Sequence, residues 1–137
     1  PGQILSLFAP DEFRVSDHDP VIVGVCMPPV ASVSASKTVL WPANHKYVNV
    51  STTVTATSDT ASITLLSVTS NEPDNGEDDG DTINDIVIVD DFNFKLRAER
   101  SGLGTGRIYT ITFLVTNSCG ATSTVTTTVT VPLSQSN

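Results

Sequence analysis

This chain is poor in basic charge: seven Lys and Arg stand against fifteen Asp and Glu, for a formal net charge of -8 over 137 residues. Polyanion affinity comes largely from Lys and Arg displacing condensed counterions, so direct nucleic-acid binding is excluded as an expectation. The bases Lys37, Lys46, Lys95, Arg97, Arg100 and Arg107 form no run, although strand alternation sets Lys95 and Arg97, with Arg107, to line one sheet face. No stretch of about eighteen apolar residues occurs, which excludes a transmembrane helix. A basic-then-apolar amino terminus of signal-peptide type is missing too, so the export signal of an exported parent would lie upstream. Helical periodicity is absent. What remains is a length that fits one domain with a real core.

From Pro28 onward Thr, Ser and Val alternate, and the pattern predicts strands over 31–39, 47–57, 62–70, 84–90, 92–99, 107–117 and 122–131. The inward positions are Val48, Val50, Val54 and Ala56; Phe92, Phe94, Leu96 and Ala98; Tyr109, Ile111, Phe113 and Val115; and Val125, Val129 and Val131. Their alternates are mostly Thr, Ser and Asn, as a sheet with one wet face requires. The expected fold class is all-β, an antiparallel immunoglobulin-like β-sandwich of about seven strands. The organisation read from the sequence is a remnant over 1–27, the sandwich over 28–132 and a tail over 133–137.

The remnant carries Phe13-Arg14-Val15-Ser16-Asp17-His18-Asp19-Pro20 followed by the apolar run Val21-Ile22-Val23-Gly24-Val25. This stretch resembles the carboxyl-terminal active-site motif of the endonuclease/exonuclease/phosphatase superfamily, the deoxyribonuclease-I-like fold, and most closely its secreted bacterial nucleases. The resemblance implies that His18 is a general base and Asp17 its orienter or metal neighbour. It also implies Mg²⁺ or Mn²⁺ chemistry in an intact parent, whose Asn, Glu and second His ligands come from far upstream. An adjacent carboxylate fixing an imidazole tautomer suits proton abstraction from water. One corner of such a site cannot hydrolyse anything alone, so this fragment is expected not to be an enzyme. The run Val21 to Val25 then becomes an orphan strand of a truncated α/β fold, expected to dock on the sandwich or to drive self-association.

A second resemblance lies in Leu40-Trp41-Pro42-Ala43-Asn44-His45-Lys46-Tyr47, Thr69-Ser70-Asn71-Glu72-Pro73 and Leu96-Arg97-Ala98-Glu99-Arg100-Ser101-Gly102. Together these are similar to a recurrent immunoglobulin-like module of large secreted bacterial proteins, related in style to hyalin repeats. The likeness spans about 28 to 132 and implies architecture and an extracellular or cell-surface location, with no agreed ligand. Trp41 reads in two ways: a packed corner capping the core, or a platform for stacking a sugar. Gly102-Leu103-Gly104-Thr105-Gly106 has no helix behind it and reads as a hairpin turn, not a phosphate loop.

Two further features stay open at this point. Cys26 opens the sandwich and Cys119 lies in the turn before the last strand, at the same end of an immunoglobulin-type topology, so they can pair; two free thiols are the alternative. The segment from Glu72 to Asp85 offers Asp74, Glu77, Asp78, Asp79, Asp81 and Asp85 as oxygen ligands at Gly-permitted turns, suited to Ca²⁺ in an irregular loop site. A solvated acidic loop is the other reading. The expected function is a non-catalytic accessory module behind an upstream nuclease domain; the alternative is an adhesion module for a glycan or cell-surface partner, with Trp41 in its site.

Overall fold

A computed structural model describes residues 25–74 and 82–134. Seven strands follow in order: β1 Ala31–Ala35, β2 Tyr47–Ala56, β3 Thr60–Ser70, β4 Ile86–Asp90, β5 Asn93–Arg97, β6 Arg107–Asn117 and β7 Thr122–Val131. They form a four-stranded sheet ordered β1-β2-β5-β4 and a three-stranded sheet ordered β3-β6-β7. All strand pairs are antiparallel, with Tyr47 opposite Arg97, Ile86 opposite Leu96, Leu65 opposite Phe113 and Arg107 opposite Val131. This is the strand order of an immunoglobulin constant-type sandwich.

The alternation explains the layers. On β6, the middle strand of its sheet, Tyr109, Ile111, Phe113 and Val115 are fully buried, while the intervening Thr110, Thr112, Leu114 and Thr116 face outward. Val50, Phe94 and Leu96 meet them from the other sheet, and Phe92 stacks on Phe113 with ring centres 5.6 Å apart. The expected inward residues are therefore on the core side. Thr52 shares that side, its hydroxyl donating to the Phe92 carbonyl at 3.1 Å.

Three expectations about this region need correction. The first strand is short, because after Ala35 the chain crosses to the other sheet. There Val39 bridges Thr130 in parallel, and the Leu40 amide donates to the Thr130 carbonyl at 2.9 Å, covering the open edge of β7. Leu40 enters the core at 1% exposure, whereas Trp41 stays 43% exposed and does not cap it. Finally, 102–106 is no hairpin turn, because β5 and β6 belong to different sheets and this segment carries the chain between them.

The sandwich has two unlike poles. At one lie Cys26, the β2–β3 turn and the β6–β7 turn; at the other, the β1–β2, β3–β4 and β5–β6 connections together with the exit from β7. Asp17, His18 and Val21 to Gly24 are outside the described residues; Val25 is exposed.

Candidate functional site

The pole where β7 exits holds a cluster of charged side chains that the solvent barely reaches. Arg107 and Glu99 are 0% exposed and Asp85 1%. Each is brought in by a strand end: Arg107 starts β6, Asp85 precedes β4, and Glu99 follows β5 by two residues. Arg107 belongs to the inward phase of β6, so the alternation that buries Tyr109 buries it as well. That overturns its placement on an outer sheet face beside Lys95 and Arg97.

Charge and hydrogen bonding compensate the burial, as buried ions require. Arg107 gives Nη1 to Asp85 Oδ2, Nη2 to the Pro73 carbonyl at 3.1 Å and Nε to Glu72 Oε1 at 3.4 Å, while its guanidinium lies 5.7 Å from the Tyr109 ring centre. Arg97 gives Nε to Asp85 Oδ1 at 3.2 Å, Nη1 to the His45 carbonyl at 2.8 Å and Nη2 to the Ile83 carbonyl at 3.1 Å, and stacks 4.1 Å over Tyr47. Glu72 Oε1 also accepts from the Ser101 amide at 2.8 Å. A Cβ on Gly104 would lie 2.9 Å from Glu72 Oε2, so the glycine gives this carboxylate its room.

Asp85 and Glu99 converge on one guanidinium, since Arg97 Nε is 3.2 Å from Asp85 Oδ1 and 3.7 Å from Glu99 Oε1. Burial, reinforced by the hydrogen bond to Glu99, pushes the Asp85 carboxyl up to about 6 even though Arg107 pulls the other way. Burial likewise raises the Tyr109 phenol, whose hydroxyl donates to the Arg97 carbonyl at 2.7 Å. Glu99 receives His45 Nδ1 at 3.0 Å on Oε2, and the Thr82 hydroxyl contacts both of its oxygens. His45 and Asn84 sit at φ 64 and 63, turning the backbone sharply on either side of the cluster.

The residues put forward as calcium ligands divide. Glu77, Asp78, Asp79 and Asp81 lie outside the described residues. Asp74 accepts the Asn84 and Asp85 amides at 2.9 and 2.7 Å, which hold its carboxyl below the ordinary range, and Asp85 is turned onto two arginines. Both described carboxylates are thus occupied by protein donors. Among the described residues, no three His, Cys, Asp or Glu side chains are grouped to hold a metal. A surface hollow of about 290 Å³ opens over Thr69, Ser70, Glu72, Asp74, Asp85, Ile86 and Arg107.

At the opposite pole Cys26 and Cys119 are joined, with Cα atoms 5.8 Å apart. Asn117, buried beneath them, donates Nδ2 to the Met27 carbonyl at 2.7 Å and accepts the Ala121 amide on Oδ1 at 2.9 Å. Among the described residues no helix is long and apolar enough to cross a membrane.

Local sequence does not mark the ion cluster: Asp85 stands in an acidic loop and Arg107 among scattered bases. One signal was available: Arg107 stands two residues before Tyr109 in an otherwise apolar inward series. A search of family models, of curated proteins and of solved structures finds no match to this chain.

Proposed function

We propose that the chain is a non-catalytic accessory module of a secreted metal-dependent nuclease or phosphatase, serving as spacer, stabiliser or surface attachment. The observation that carries this reading is the path of the polypeptide. It comes in at the disulfide pole near Val25, traverses both sheets, and goes out at the ion-cluster pole beyond Val131, the geometry of a module threaded in line. The Asp17-His18 motif on the incoming side supports the nature of its neighbour. The charged cluster supports a structural role, since Glu99 and Arg107 are sealed from any substrate.

The test is an assay of DNA hydrolysis with Mg²⁺ or Mn²⁺, in which this chain is inactive. In the full parent enzyme, deleting residues 28–132 leaves turnover per folded molecule intact and lowers melting temperature or surface retention. Metal-dependent cleavage by this chain, abolished by His18→Ala, would overturn the reading.

A second reading, an adhesion module for a glycan, is favoured by one observation: Trp41 and Tyr47 are both exposed at the ion-cluster pole. A glycan array with Trp41→Ala as control separates the two. Melting that rises with millimolar Ca²⁺ and falls with chelator would join Ca²⁺ to the adhesion reading.

A further inference from the structure

The edges of the two sheets are not equally protected. Unpaired strand edges invite pairing with another chain, and proteins blunt them with charge, proline, bulges or short length. β1 and β4 have five residues each, and β4 ends on Asp90 with a register shift just before it. β3 is long, but its register breaks between Thr60 and Ser62 and again between Leu65 and Ser67. β7 has none of these devices. From Thr122 to Val131 it carries no charge, proline or glycine, and its register with β6 runs unbroken from Thr122 to Val131.

Val39 and Leu40 cover this edge only near its end. The Thr130 amide donates to the Thr38 carbonyl at 2.8 Å and its carbonyl accepts the Leu40 amide at 2.9 Å, so the backbone groups of Thr130 point away from β6. The two-residue period of an unbroken strand gives Thr124, Thr126 and Thr128 the same direction. Among the described residues, no strand or loop pairs with the backbone of these three. Their side chains are exposed on the outer face of the sheet.

We propose that β7 pairs with β7 of a second copy of this chain, antiparallel about a two-fold axis at Thr126, so that two three-stranded sheets become one. A two-fold contact must be complementary to itself, and this strand is. Thr126 faces its own counterpart, Thr124 faces Thr128 of the second copy, and each such pair exchanges two hydrogen bonds. On the outer face every pair sets Thr against Thr, a favourable cross-strand combination, and no facing position carries a charge. The pairing stops at Thr128 because the backbone of Thr130 is already bonded.

Exposed apolar side chains elsewhere fit the same occupant. Ser123 Oγ donates to the Pro29 carbonyl at 2.6 Å, which fixes the segment of Met27 and Val30 beside the start of β7, while Val39 lies beside its end. An antiparallel seam brings the start of one β7 level with the end of the other. Met27, Val30 and Val39, which are 67%, 75% and 45% exposed, are thereby carried toward one another across the seam. One pair of strands is less than the interface of an obligate dimer, so the association depends on concentration. The net charge of -8 on each copy opposes it, and screening by salt strengthens it.

The experiment combines sedimentation equilibrium with amide hydrogen exchange by NMR on the full chain. The expected mass rises from one chain to two with concentration, more steeply at higher salt, and the amides of Thr124, Thr126 and Thr128 exchange more slowly as it does. Thr126→Lys sets two ammonium groups against each other at the axis and returns the mass to one chain, with circular dichroism unchanged. Thr124→Glu with Thr128→Lys places opposite charges across both flanking pairs and keeps the dimer. A chain that stays monomeric at every concentration overturns the proposal. So does a dimer that survives Thr126→Lys, or one whose three amides exchange as fast as in the monomer, as association through Val21 to Val25 would give.

Discussion

The two poles of this sandwich solve the same problem by different chemistry. Each must hold three chain segments together where hydrogen-bonded strands end. The pole at Cys119 does so with one covalent bond and a buried amide, Asn117, that serves the Met27 carbonyl and the Ala121 amide. The pole at Arg107 does so with buried charge, in which Arg97 and Arg107 are shared among Glu72, Asp85 and Glu99. A disulfide acts chiefly on the unfolded chain, by restricting it. A buried ion cluster acts on the folded state, and it contributes only while every member keeps its partners. The first pole should tolerate changes around its bond; the second should fail when any one charge is removed.

Breaking the bond gives the largest expected effect. The bridge spans a sequence separation of 93, and closure of a loop that long is worth about 4 kcal/mol in the chain-entropy model. Cys26→Ser with Cys119→Ser should lower stability by about that much in urea titration, with the strand content by circular dichroism unchanged. A loss of sheet structure would mean that the pole depends on the bridge for its geometry.

Removing the central cation should come next. Arg107→Ala leaves the buried Asp85 with Arg97 alone and the half-buried Glu72 without its cation, at a cost of about 3 kcal/mol. Arg107→Met, of similar volume, should lose nearly as much, because the carboxylates remain. If both variants unfold at the same denaturant concentration as the parent, the cluster contributes nothing and the contrast between the poles fails.

Leu40 and Trp41 sharpen the comparison within a single step of the chain. Leu40→Ala opens a cavity in the core and should cost about 2–4 kcal/mol. Trp41→Ala, at a side chain left largely in solvent, should cost less than about 1 kcal/mol while reporting any loss of glycan binding. Equal effects on melting would place Trp41 in the core after all.

A further effect is a pH dependence confined to one pole. The Asp85 carboxyl is raised from its ordinary 3.8 to about 6 in the folded chain, so folding favours its protonated form. Its contribution is fully present below pH 4 and is lost as pH rises through 6. Stability attributable to this site should decline from pH 4 to 7. Asp85→Asn should flatten that slope. A slope unchanged in Asp85→Asn would assign it to another group.

The sandwich was legible in the sequence because two-residue alternation is written directly in the side chains. The bounds of β6 and β7 and the apolar inward positions follow from it. The crossing of the chain after Ala35 was not legible, since Ser36-Lys37-Thr38-Val39 reads as one more stretch of strand; what redirects it is the open edge of β7, a long-range feature. The candidate site was half hidden for a similar reason. Glu72, Asp85, Glu99 and Arg107 look like ordinary surface charges one at a time, and only the return of the β3–β4 and β5–β6 connections to one pole makes them partners. Arg107 alone could have been picked out, by its phase with Tyr109 and Ile111.

The disulfide also fixes how the molecule would respond to being pulled. Tension arriving along the chain from the amino-terminal side reaches Cys26, and the shortest covalent route onward passes to Cys119 and then through β7 to the exit at Val131. Residues 27–118 hang from that route as a closed loop and cannot be drawn out by it. Only β7 and its flanks lie in the load path, and β7 is already close to fully extended. A linker placed under flow or traction would therefore behave here as a nearly inextensible strap, and reduction of one bond would release the whole loop as slack.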